Sequence, residues 1–338
     1  RVTGVIKDNA RVSAVRAQCG VTGEEIIIRS KGVINAAGPW VESICDLDGL
    51  PSEKPLVLSK GVHVVIPHSK LPLNEMVLMV AKDNRPVFAI PRGSVVYIGT
   101  TDSRYENTAD IWPEVLASEM EYLFQPVLDY FNVNLSPSDC LSTWAGLRPL
   151  ISQRGKSTKE ISRRDEIWVS KSGLITIAGG KLTGYRKMAE DTVDKATELL
   201  GLAVKDSADD ITLPGGNFTG GIDQQVAVLA NRQLEEGAAL RLTRLYGTEA
   251  SDVLDLDSQP LAQGSHVLSG EVKWAVRQEG ATNLEDVLYR RTRAAYYRPS
   301  EVGEILEPAS VLLSSELGWS ESQRIEECKS VRSRLHKD

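Results

Sequence analysis

The run from Gly173 to Glu190, GLITIAGGKLTGYRKMAE, restricts what this chain can fold into more than any other segment. It begins with β-branched residues, breaks at Gly179-Gly180, and resumes with helical spacing. Paired glycines allow a sharp turn and leave room for a ligand beside the peptide plane. The helix behind such a turn offers unpaired N–H groups and the positive end of its dipole to whatever lies above it. Met188, Val193, Ala196, Leu199 and Leu200 can share one helical face, and Gly201 stands where a C-cap belongs. Strand, glycine turn and helix in this order predict an α/β domain. The same junction also occurs where no ligand sits at the turn.

The 338 residues suffice for one large or two ordinary domains. A net charge of −7 without a Lys/Arg-rich run argues against general nucleic-acid binding. Cys19, Cys45, Cys140 and Cys328 are scattered, with no partner at metal-ligand spacing, and read as reduced thiols of a cytosolic protein with no bound metal. No apolar segment is long enough to span a bilayer.

Along the chain, Val12–Val15 and Glu25–Ile28 are β-rich, and Lys31 to Gly38 reads as a buried strand ending in small residues, followed by a short helical pattern at Val41, Ile44 and Cys45. Leu56–Ser59, Val62–Ile66, Met76–Met79, Val87–Ile90 and Val95–Thr101 are separate β runs punctuated by turns, as in an antiparallel sheet. Residues 114–131 have helical period, with a kink expected at Pro126. Ser152–Arg164 is polar and basic, and Glu166–Val169 returns as strand. After Gly201, the Asp/Gly/Thr-rich stretch with Leu213-Pro214-Gly215-Gly216 marks a linker, and the remainder is helical by pattern. Capping boxes are expected at Thr282/Glu285 and Ser320/Gln323.

Five collinear segments, Asn35-Ala36-Ala37-Gly38-Pro39-Trp40, Ser59-Lys60-Gly61-Val62-His63, Arg85 to Asp102, Trp144 to Leu150 and the glycine turn itself, together resemble the FAD-dependent glycerol-3-phosphate dehydrogenases. They cover nearly all of residues 31–190, and the Leu-Pro-Gly-Gly linker and Tyr289 to Arg293 extend the likeness. The resemblance implies an incomplete α/β fold of the FAD-linked reductase, D-amino-acid-oxidase-like type, with an antiparallel substrate sheet and a small all-α C-terminal domain. It assigns residues 1–45 and 171–204 to the remaining part of an FAD-binding domain, 46–170 to the substrate sheet, 205–221 to a linker and 222–338 to the helical domain.

The same resemblance places Ala36, Ala37, Gly38, Trp40, Gly179, Gly180, Lys181, Leu182 and Thr183 against FAD. The backbone of Lys181 to Thr183 would meet negative charge building on the reduced ring. It makes His63 and Arg148 catalytic, with His63, Arg148, Lys181 and Arg92 binding substrate. His63 has the ordinary imidazole affinity suited to a base near neutrality, although a single His on a strand is more often a hydrogen-bonded structural residue. Arg148 offers a planar fork of donors for a hydroxyl or phosphate, or else an ordinary ion pair. Arg290, Arg291 and Arg293 read as a solvated helix face paired with Glu285 and Asp286. The implied reaction converts sn-glycerol 3-phosphate to dihydroxyacetone phosphate, with electrons passing to a quinone or the respiratory chain.

The family's N-terminal G-x-G-x-x-G fingerprint is absent and the chain does not begin with Met, so a fragment of a longer protein is expected. The short gap from Leu150 to Gly173 favours a dehydrogenase over the related oxidases. A cytoplasmic protein, in peripheral contact with the inner face of the cell membrane and able to form a homodimer, follows by the same analogy. Two competing readings stand beside it: a flavoenzyme of this fold acting on an amine or amino acid, and a non-catalytic remnant.

Overall fold

A computed structural model describes residues 1–50, 52, 54–107, 111–152, 164–203 and 211–335. The chain opens as an antiparallel meander, β1 (Val2–Asp8), β2 (Arg11–Gln18) and β3 (Glu25–Arg29). Asn9 and Ala10 both take positive φ in the turn between the first two strands, which matches the twist of a tight hairpin. The expected buried strand over 31–38 is much shorter: β4 is Ile34–Asn35, with Ile34 exposed and Asn35 buried. Asn35 accounts for the shortening. Its Nδ2 donates to Val41 O at 3.0 Å and its Oδ1 accepts from Ala37 N, so the side chain organises the turn into α1 (Val41–Leu47).

The main sheet contains β5 (Leu56–Pro67), β6 (Val77–Val80), β7 (Pro86–Arg92), β8 (Val95–Gly99) and β9 (Ser103–Tyr105). The two runs expected at Leu56–Ser59 and Val62–Ile66 are one continuous strand, because Gly61 stays extended in mid-sheet. Helix α2 (Ala117–Phe131) runs on through Pro126 and covers one face, where Leu123, Phe124 and Val127 pack on Val62, Val64, Ile66, Val87 and Ile98. Lys60 points to this same face and meets Glu119 at 2.8 Å, both side chains largely buried, so its charge is neutralised within the core.

Strand β10 (Ser142–Ile151) pairs with β5 along its whole length, from Ser142 opposite Val65 to Ile151 opposite Leu56. The third sheet has β11 (Asp165–Val169) antiparallel to β12 (Ile175–Gly179), which lies parallel to β4. Helix α3 (Tyr185–Leu200) follows and ends at Gly201 in the left-handed conformation, as expected. Its buried face differs from the expected one: Thr192 is buried, its hydroxyl donating to Met188 O at 2.6 Å, and Val193 is 52% exposed. Most of the polar stretch Ser152–Arg164 lies outside the described residues.

The C-terminal part is helical: α4 (Gly221–Ala230), α5 (Glu236–Tyr246), α6 (Ala250–Leu256), α7 (Ser269–Arg277), a π-turn at Asp286–Arg291, then α8 (Ala294–Tyr297), α9 (Pro299–Leu317) and α10 (Glu321–Leu335). Ser320 accepts from Gln323 N at 3.2 Å, giving the capping half of the expected box. The Thr282/Glu285 box does not form. Asn283 caps Asp286 N instead, and Glu285 is drawn away to Arg334 at 2.6 Å. Arg290 pairs with Asp286 and Glu285 as the charge pattern indicated. The helical region touches the main sheet where Ser142 Oγ donates to Tyr296 O and Trp144 packs on Tyr296.

Candidate functional site

The face of the main sheet opposite α2 is set by strand alternation and register. Ser59, Gly61 and His63 of β5 share it with Trp144, Gly146 and Arg148 of β10 and with Gly99 of β8, since His63 lies between Trp144 and Gly99. Two glycines decide where the polar side chains lie. At Gly99 a Cβ would strike the His63 ring, 2.6 Å from Nε2, so the imidazole crosses directly over that residue. At Gly61 a Cβ would fall 2.5 Å from Nη1 and 2.6 Å from Cζ of Arg148. The guanidinium therefore crosses β5 over Gly61, where its Nη2 donates to Thr100 Oγ1 at 2.9 Å and its Nη1 to Thr101 O at 3.3 Å. Both functional candidates thus lie flat over their neighbouring strands and converge on one patch.

His63 is held by packing. Its ring stacks on Trp144 with centroids 4.9 Å apart and an interplanar angle of 14°. Nδ1 is enclosed with no hydrogen-bond partner among the described residues, and Nε2 lies on the part of the ring that crosses Gly99. Burial, and then the neighbouring Arg148 charge, push the imidazole pKa down to about 4. The ordinary value assumed from sequence is thereby corrected: His63 is neutral at pH 7 and remains a proton acceptor well into the acid range.

This shift has a measurable consequence for stability. Between about pH 6.5 and pH 4 the unfolded chain binds a proton at His63 that the folded chain refuses, so folding stability falls as pH drops through that window. The contribution lost between pH 7.5 and pH 5 is about 2 kcal/mol. Urea unfolding at those two pH values should show a smaller loss for His63→Asn than for the parent chain, by that amount. Equal losses in both would mean that His63 is not the group responsible.

The second group of candidates surrounds the glycine turn. Gly179 and Gly180 have φ of 81° and 77°, which glycine adopts without strain. The room for a ligand expected beside them is absent. A Cβ on Gly179 would sit 2.5 Å from Arg164 O and one on Gly180 would sit 2.6 Å from Met188 Sδ, so the chain itself fills it. The open surface lies one residue further on. Lys181 is exposed, Leu182 is 89% exposed, and the short turn Leu182–Gly184 carries no side-chain cap. Gly38, with φ of 58°, likewise faces open space, and Trp40 beside it is partly exposed. A planar ring with an anionic edge fits this combination of uncapped N–H groups, exposed leucine and a lysine with no carboxylate partner among the described residues.

Strand β10 connects the two groups. Three residues beyond Arg148, Ile151 is still paired with Leu56 in the main sheet while its side chain packs with Ala178, Trp168, Val41 and Cys45, and its Cδ1 reaches the position of Gly179. The patch of His63 and Arg148 and the turn that follows β12 are therefore held by one continuous strand. Arg92 is not brought to them. It stands four residues along β7 from Phe88, the residue opposite Gly99, or about 13 Å along the strand. There it lies over the Tyr297 ring at 4.4 Å.

The roles of Gly61, Gly99, Thr100, Thr101, Trp144 and Asn35 went unread in the sequence, although each lies within a quoted motif. The available signal was that two glycines interrupt otherwise β-branched strands, a pattern that marks a close approach. Which side chain makes that approach depends on strand register, and no single strand carries that information.

Among protein families, one described as FAD dependent oxidoreductase matches residues 1–186, and the C-terminal domain of alpha-glycerophosphate oxidase matches residues 207–324. The aerobic glycerol-3-phosphate dehydrogenase of Staphylococcus aureus (strain USA300) is 37% identical over 331 residues, covering 93% of this chain and 59% of that protein. Its counterpart in strain bovine RF122 / ET3-1 gives the same figures. The chain thus spans about 59% of the length of the curated relatives it matches. The structure of the glycerol-3-phosphate dehydrogenase from Bacillus halodurans complexed with FAD matches with a TM-score of 0.88 and 33% identity, covering all of this chain and 68% of that one. On this evidence, joined to the sheet arrangement above, the chain belongs to the FAD dependent oxidoreductase family, with an α/β fold followed by a helical C-terminal domain.

Proposed function

We propose that the chain carries part of an FAD-dependent oxidation of sn-glycerol 3-phosphate to dihydroxyacetone phosphate. The observation that carries this reading is the neutral His63 imidazole lying beside the Arg148 guanidinium on one sheet face, with β10 leading from them to the uncapped turn at Lys181. The flavin, when bound, supplies the two-electron acceptor for the C2 hydride. Lys181 and the N–H groups of Leu182 and Thr183 would hold its anionic edge, with Ala36, Ala37, Gly38 and Trp40 along its flank.

In this reading Nε2 of His63 takes the proton of the C2 hydroxyl as the carbon–hydrogen bond breaks, which leaves the C2 carbonyl. Arg148 orients the hydroxyl or the phosphate through its fork of N–H donors, and Lys181 adds charge for the phosphate. The stacked Trp144 fixes the plane of the imidazole and keeps water from one face. Residues 1–45 and 171–204 form the cofactor side, 46–170 the substrate side and 222–338 the helical domain, with the linker at 205–221. A quinone is the electron acceptor in this scheme, by analogy with the dehydrogenases. No described helix is long and apolar enough to cross a membrane.

The test is spectroscopic. The purified chain is mixed with FAD, desalted, and its visible flavin spectrum recorded before and after anaerobic glycerol 3-phosphate, with glycine as the amine control. Bleaching by the phosphate ester alone is the expected result. Bleaching by glycine alone would transfer the reading to amine oxidation, and retained flavin unaffected by either would overturn it.

A further inference from the structure

A second cationic recess lies away from the His63 patch, where the ends of β7 and β8 meet the helical domain. It has a volume of about 460 Å3, and Arg92, Ser94, Tyr97, Arg241, Arg244 and Arg298 line it. Four guanidinium groups share this space with few carboxylates. Glu271 is committed to Arg241, with Nη1 to Oε1 at 2.9 Å, and Glu301 is shared between His266 at 2.7 Å and Arg298 at 3.6 Å. Arg92 and Arg244 have no carboxylate partner among the described residues; Arg92 instead covers the Tyr297 ring.

Four guanidinium groups against two carboxylates leave the charge of the recess only partly compensated. Nε of Arg241 is enclosed in protein with no hydrogen-bond partner among the described residues, which is uncommon for a buried donor. Burial, and then the neighbouring Arg241 charge, hold the Arg298 guanidinium below its ordinary range. Like charges gathered in a partly desolvated cleft raise the free energy of the empty state, and an anion would relieve it. The walls also include Ile90, Leu240 and Leu245, and the volume exceeds that of a bare inorganic ion. Arginine forks match phosphoryl oxygens in geometry as well as charge.

We propose that this cleft is a binding site for a small organic phosphate, its phosphoryl group held by Arg92, Arg244 and Arg298 and its apolar part lying on Ile90, Leu240 and Leu245. The site is separate from the His63 patch, since Tyr97, Trp144 and Tyr297 stand between them with ring centroids about 6 Å apart. It does not depend on which substrate that patch accepts.

Pyrophosphate serves as the probe, titrated calorimetrically into the flavin-free chain at low salt. One pyrophosphate should bind per chain. Arg244→Glu, a change at an exposed position whose fold is to be checked by circular dichroism, should weaken binding at least about tenfold. Arg244→Gln should weaken it less, while Lys181→Ala should leave it unchanged. Failure to bind at millimolar pyrophosphate, equal binding by Arg244→Glu and the parent chain, or loss of binding in Lys181→Ala would each overturn the proposal, the last by placing the anion at the turn after β12.

Discussion

His63→Asn should lower the rate of flavin reduction by glycerol 3-phosphate by about 10²- to 10⁴-fold, the range typical of a lost general base. Asparagine preserves polarity and approximate size but cannot take the proton. The expected signature is a fall in kcat with little change in KM, because the proton moves as the transition state forms and not on binding. The pH profile provides a second reading. With the imidazole pKa near 4, the limb attributable to His63 lies at acid pH, and activity should not fall as pH drops from 7 to about 5.5 on account of this group. Stopped-flow reduction of the FAD-loaded chain measures both. A variant that reduces flavin at the parent rate would remove His63 from the mechanism and leave it a packed strand residue.

The second large effect is expected at a residue with no functional group. Gly99→Ala places a methyl group against the His63 ring, and the ring has little freedom to retreat because Trp144 is stacked on its other side at 4.9 Å. Overpacking of this kind costs about 1–3 kcal/mol in stability, and the displaced imidazole should cost about 10²-fold in turnover, the effect of roughly an ångström of misplacement. Gly61→Ala provides the contrast. The atoms it meets belong to the far end of the Arg148 side chain, which can swing aside, so stability should hardly change while substrate affinity falls. Urea unfolding with steady-state kinetics separates the two variants. Similar stability losses in both would show that the sheet, not the imidazole, resists the methyl group at Gly99.

The elements around the turn were legible because the determinants are local. Ile175 to Gly179, the left-handed glycines and the C-cap at Gly201 are each dictated by residues within a few positions of one another. The antiparallel character of residues 56–102 could be read from alternation in the same way. Reading failed where two signals competed. Gly61 resembled a break in β5, yet pairing with Gly146 on one neighbouring strand holds it extended. Lys60 belongs to the quoted K-G-x-H segment, but alternation sends it to the α2 face and into an ion pair with Glu119, away from His63. Arg92 was grouped with the substrate residues, and its strand carries it to the far end of the sheet instead.

The sequence by itself determined the order of elements, the two glycine-bounded strand ends and the chemical types available to a site. These depend on backbone preference and on periodicity, which act over a few residues. The tertiary structure alone decided that the His63 imidazole crosses Gly99, that the Arg148 guanidinium crosses Gly61, and that burial makes the imidazole neutral at pH 7. Such facts depend on the register of strands far apart in the chain and on the loss of solvent where they meet, and no local stretch of residues encodes either one.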